Sequence, residues 1–126
     1  MSIQTIFTND PTGSELVSLA EDTAHHLVTA DLKRSQIRSI FSEARKIQGL
    51  WVSNQDAAIR RLVMLKPKMD YQTQRNPPVR GLRDVLSPAI DMVAQAKDEE
   101  RNKRFQIFMD LFEAILAYHR AKGGQN

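Results

Sequence analysis

The 126-residue chain contains no cysteine. That excludes disulfides and any thiolate metal site, and is in keeping with a reducing cytoplasm. No apolar run approaches the roughly 20 residues needed to cross a bilayer. The N-terminal MSIQTIFTND lacks the charged start and long apolar centre of a secretion signal, so a cytoplasmic location is expected. No stretch alternates apolar and polar residues in the manner of a strand. Only eight aromatic residues occur, and most project inward, which argues against a single-strand stacking platform of the RRM kind. Glycine-rich phosphate loop, nucleophile elbow and zinc spacing are all missing, so neither catalytic residues nor a cofactor is expected.

Two weaker candidates fail on geometry or context. His25 and His26 follow Asp22 by about one turn, but adjacent helical residues point about 100° apart and do not readily share one ion. Glu113 flanks the apolar face of the last helix without a sequence neighbour of catalytic type, so hydrogen bonding or ion pairing is its expected role. His119 is expected as an interior or boundary imidazole.

Basic residues are unevenly placed. The first 31 residues have no Lys or Arg and five acids, and residues 84–126 carry six basic residues and seven acids. Residues 32–83 carry twelve Lys/Arg and three Asp/Glu, a net of +9 hidden within an overall +3. A merely solvated surface intersperses both signs. A segment this cationic suits a polyanion, of which nucleic-acid backbone is the commonest.

Apolar residues recur at helical spacing almost throughout, predicting an all-α, compact bundle of about five helices with single-domain limits near residues 13–122. Residues 1–12 read as an irregular arm closed by Pro11-Thr12-Gly13, and residues 123–126 as a flexible tail. The first helix is expected over about Ser14–Ala30, and the second over about Lys33–Gly49, with Gly49 as its stop. The third starts near Ser53 or Asn54 as cap. Pro67 within it removes a backbone hydrogen bond and crowds the preceding turn, so a kinked helix reaching about Arg75 is expected. Asn76-Pro77-Pro78 breaks the chain. A fourth helical region carries Leu82, Val85, Leu86, Ile90 and Val93, with Ser87-Pro88 as a possible cap and restart. The last helix, about Asp98–Lys122, is apolar on two sides and is read as the largely buried centre. Trp51 and Met64 are expected as packing anchors, with an interface role as the alternative.

On the second helix Arg34, Arg38 and Arg45 fall within one narrow strip. On the third, Arg61, Lys68 and Arg75 are spaced by sevens along one edge, on the order of 10 Å apart, which suits several phosphates of one strand. Lys33 adds charge where the second helix begins. Lys66 projects to the apolar side, either snorkelling outward or turned by the proline.

Three segments carry a family resemblance. Leu32-Lys33-Arg34-Ser35-Gln36-Ile37-Arg38 resembles an L-T-T-S-Q-I-R stretch. Leu65-Lys66-Pro67-Lys68-Met69-Asp70-Tyr71, with Arg75, resembles L-K-P-K-x-x-Y…R. Phe112-Glu113-Ala114-Ile115-Leu116-Ala117-Tyr118-His119 is similar to F-E-A-x-x-A-Y-H. Together, in order and at the right distances, these are the marks of the small helical subunit of type III-A (Csm) CRISPR effector complexes. The resemblance implies a non-catalytic subunit of an antiviral ribonucleoprotein. Copies of it stack head to tail, opposite the backbone subunits that hold the guide RNA. Their basic residues face the guide–target duplex, chiefly the target RNA backbone. Carried over by position, Arg38, Lys66, Lys68 and Arg75 are the implied RNA contacts, within a candidate set that also holds Lys33, Arg34, Arg45 and Arg61. Tyr71, Phe112, Glu113 and Tyr118 match motif positions too, but their spacing reads as packing and internal hydrogen bonding. Lys33 and Arg34 replace the family's two threonines, so Asp31 or Ser35 is expected to cap instead.

A guide-programmed complex accepts any sequence, which favours a grip on phosphate and helix shape over base reading. Two other readings compete. A helix-turn-helix DNA regulator would use the second and third helices, against which the long Gln48–Asn54 connection argues. A basic adaptor for an acidic protein would bind no RNA.

Overall fold

A computed structural model describes residues 3–125. Its regular structure is helical: α1 (Ile3–Thr8), α2 (Ser14–Thr29), α3 (Arg34–Ser53), α4 (Gln55–Arg75), α5 (Arg80–Gln95) and α6 (Asp98–Ala121), with a 3₁₀ turn at Pro77–Val79 between α4 and α5. The expected all-α bundle is therefore what the chain forms. Buried side chains from all six helices share one hydrophobic cluster. α6 stands at its centre. Phe108, Leu111, Phe112 and Ile115 are fully buried there, while Ile107, Leu116 and Tyr118 cover the flanks. Phe112 forms T-shaped pairs with Phe41 and Phe108 at centroid distances of 5.1 and 6.2 Å, an arrangement aromatic quadrupoles favour.

Several boundaries differ from the expectation, each for a physical reason. Part of the supposed irregular arm forms α1, because Ile6 and Phe7 are buried in the bundle. The chain then turns at Gly13, whose φ of 77° lies in the left-handed region. The Asp10 carboxylate accepts from the amides of Glu15 and Leu16 at 3.1 and 2.9 Å, satisfying donors that open α2. Neither Asp31 nor Ser35 caps α3. Lys33 occupies the cap position, and Gln36 Oε1 accepts from its amide at 3.0 Å, half of a capping box.

Gly49 does not stop α3, which continues to Ser53. The extra turn carries Trp51, stacked on Phe105 at 4.0 Å and 4° and donating through Nε1 to Asn102 Oδ1 at 2.9 Å. Tertiary contacts there outweigh glycine's poor propensity of about 1 kcal/mol. The connection to α4 is accordingly Asn54 alone, whose side chain accepts from the Ala57 amide at 3.2 Å. Helix α4 passes without a break through Pro67 to Arg75. Nor does Ser87-Pro88 restart α5. Leu82 and Leu86 before it, and Ala89, Ile90 and Val93 after it, stay buried on one face while Pro88 is exposed. Arg101 and Arg104 of α6 donate to the Ala96 and Met92 carbonyls at 2.9 and 2.8 Å, closing the end of α5.

The C-terminal segment is tied down as far as residue 125. The Gly124 amide donates to the His119 carbonyl at 2.8 Å, and the Arg34 amide donates to Gln125 O at 2.6 Å. His119 is fully buried, as expected, and its Nε2 donates to the Leu32 carbonyl at 2.7 Å.

Candidate nucleic-acid interface

Helices α3 and α4 lie side by side and antiparallel. Glu43, midway along α3, meets Arg61 in the first half of α4. Toward the far end, Ser35, Gln36 and Ser39 of α3 face Lys68, Tyr71, Gln72 and Arg75 of α4 across a groove of about 670 Å³. Two of the three family-like segments therefore meet in one place. α3 supplies polar hydrogen-bonding groups and α4 supplies cations, together with the apolar surface of Met64, Pro67 and Tyr71.

The eight candidate cations divide by what they touch. Among the described residues Arg38, Arg45 and Lys68 are exposed with no carboxylate within salt-bridge distance. Arg45 lies 6.0 Å from the Phe41 ring centroid. Arg75 is also exposed, and its contacts are with Tyr71: its guanidinium carbon lies 5.8 Å from the ring centroid, and Nη1 donates to the hydroxyl at 3.4 Å. The other four are engaged by the fold. Lys33 pairs with Asp31 at 2.9 Å, Arg61 with Glu43 at 2.7 Å, and Lys66 with Asp91 of α5 at 2.6 Å. Arg34 is half-buried, with Nε enclosed and unbonded by protein.

The expected alignments are present in part. Lys68 and Arg75 line the α3 side of α4, and Arg61 shares that edge but is held by Glu43. Lys66 projects to the opposite edge, toward α5, and neither snorkels freely nor is turned into the groove. On α3, Arg38 stands about 60° around the helix from the groove residue Ser35, and within about 20° of Arg45.

A model of the Csm2 Type III-A family matches residues 10–125. The chain belongs to that family. Csm2 is the small subunit of type III-A CRISPR effector complexes, so the bundle is one component of a Csm complex, with other Csm subunits as its partners. No curated protein and no solved structure matches the chain. No helix among the described residues is long and apolar enough to cross a membrane.

Two Csm2 motif positions outside the cation set, and the supposed anchor Met64, need correction. Tyr71, expected in packing, is 60% exposed on the groove wall, and Met64, expected as an anchor, is 50% exposed beside it. Glu113 is exposed and makes none of the ion pairs or hydrogen bonds seen among the described residues, contrary to the role expected for it. Phe112 and Tyr118 do pack in the core. A signal for Tyr71 was present in the sequence. It lies about 200° around α4 from buried Met69, and three and four residues from Lys68 and Arg75, which puts it on their strip.

Proposed function

We propose that this Csm2 subunit is a non-catalytic RNA clamp. It holds the target strand, and the guide paired with it, by ribose-phosphate backbone without reading sequence. It packs head to tail with copies of itself and against the other Csm subunits in antiviral defence. The observation that carries the proposal is the meeting of Lys68 and Arg75, unpaired with any carboxylate among the described residues, with the Ser35–Ser39 wall of α3, where two of the family's motif segments converge. Arg38 and Arg45 extend the cationic surface along α3. Lys33, Arg34, Arg61 and Lys66 contribute less, because carboxylates or burial already engage them.

Guanidinium and ammonium groups on outward helix faces neutralise phosphate without regard to base identity. Binding by the free protein is then weak and non-specific. Its affinity falls with salt at a log–log slope near −0.7 for each phosphate neutralised. The test is the double charge reversal Lys68→Glu with Arg75→Glu. RNA association should weaken strongly and the salt slope flatten, while thermal unfolding stays within about 0.5 kcal/mol of the parent, as befits exposed sites. Unchanged RNA affinity in a folded variant refutes the clamp.

The DNA-regulator reading loses its basis. Helix-turn-helix units cross at roughly 90–120° after a turn of 3–4 residues, whereas α3 and α4 run alongside one another after Asn54 alone.

A further inference from the structure

We infer that the α3–α4 groove is a nucleobase site, in which the Tyr71 ring stacks one unpaired base of the bound strand while Lys68 and Arg75 hold its phosphates. The inference rests on the clamp reading and adds a ligand contact to it. A phosphate grip needs cations alone; this groove has more than that. Its α4 wall places Met64, Pro67, Lys68, Tyr71 and Arg75 on one strip, and the volume of about 670 Å³ falls within the range of small-molecule sites. Met64 and Tyr71 leave half or more of their surface in water, an arrangement that favours an apolar, planar occupant.

Charge selects among such occupants. Among the described residues neither Lys68 nor Arg75 has a carboxylate within salt-bridge distance, and Arg75 lies against the Tyr71 phenol, so the rim complements an anion. A nucleotide joins a planar apolar face to an anionic group, and the groove sets the Tyr71 ring beside the Arg75 guanidinium, 5.8 Å from its centroid. Ser39 and its neighbours on α3 add hydrogen-bonding groups opposite the ring. Stacking on one aromatic ring is tolerant of base identity, because every base has a π-face. The site is therefore compatible with a clamp that accepts any target. One ring does not make a multi-base platform.

The test compares a short oligoadenylate with an abasic ribose-phosphate oligomer of equal length, titrated into the full chain at fixed salt. The parent protein should prefer the oligoadenylate roughly ten- to a hundredfold, the range one stacked base covers. Tyr71→Ala should abolish the preference without altering the salt slope, and Tyr71→Phe should restore it. Exposure of Tyr71 leaves the fold out of the comparison. Equal, salt-dependent binding of both polymers by the parent overturns the base site and leaves the backbone clamp standing. Absence of salt-dependent binding to either polymer overturns both. If Tyr71→Ala leaves the preference intact but abolishes self-association seen by sedimentation, the groove holds a second copy and the base site is wrong.

Discussion

Glu43 Oε2 accepts from both Nε and Nη2 of Arg61, at 3.1 and 2.7 Å, and so draws one member of the 61–68–75 series out of the cationic edge. The pairing joins α3 to α4 across 18 residues of sequence. Among the described residues it leaves Lys68 and Arg75 as the cations of that series free of carboxylates.

Glu43→Gln is expected to release the guanidinium. RNA affinity should rise modestly, and the salt slope should steepen by up to about 0.7 in magnitude. Arg61→Ala should leave affinity nearly unchanged and lower stability by no more than about 1 kcal/mol, the ordinary worth of a surface pair. Salt titrations of both variants check this; a large affinity loss in Arg61→Ala contradicts it.

Lys66 and Asp91 tie α4 to α5, on the edge away from the groove. Lys66→Ala should reduce stability by about 0.5–1 kcal/mol, since the pair is half-exposed, and leave RNA affinity within about twofold. Urea denaturation and the same binding assay separate the two effects.

Phe112 is fully buried between Phe41 and Phe108. Phe112→Ala is expected to cost about 3–5 kcal/mol, read as a fall in the urea midpoint at unchanged slope. A loss below about 1 kcal/mol would mean that the ring lies at the margin of the bundle.

Gly124 passes so close to His119 that a Cβ there would collide with the imidazole ring. Gly124→Ala should lift the segment, break the Arg34 amide to Gln125 O bond, and lower stability by about 1–3 kcal/mol. Hydrogen exchange at the Arg34 amide should speed up. Unaltered protection there would show that the segment is not held by this contact.

The five long helices were legible in the sequence because their apolar residues repeat at the helical period, in one stripe such as Leu62–Leu65–Met69 or, in α6, on two sides. α1 was not legible: six residues with two buried side chains give no periodicity, and docking on the bundle holds them helical. The end of α3 was misplaced because Gly49 is a local signal, whereas Trp51 on Phe105 joins residues 54 apart. Charge periodicity brought out Lys68 and Arg75, but not which cations are spoken for. Glu43 and Asp91 lie 18 and 25 residues from their partners, so no local pattern could pair them. Tyr71 was misjudged for another reason. Its spacing was read as packing, but its angular distance of about 200° from Met69 places it outside.

The most direct test is electron cryomicroscopy of the reconstituted Csm complex with guide and target RNA. RNA phosphate oxygens are expected within hydrogen-bonding distance of Lys68 and Arg75, with Arg38 and Arg45 along the same backbone path. Density placing those four side chains in open solvent, or against protein carboxylates of neighbouring subunits, would contradict the account.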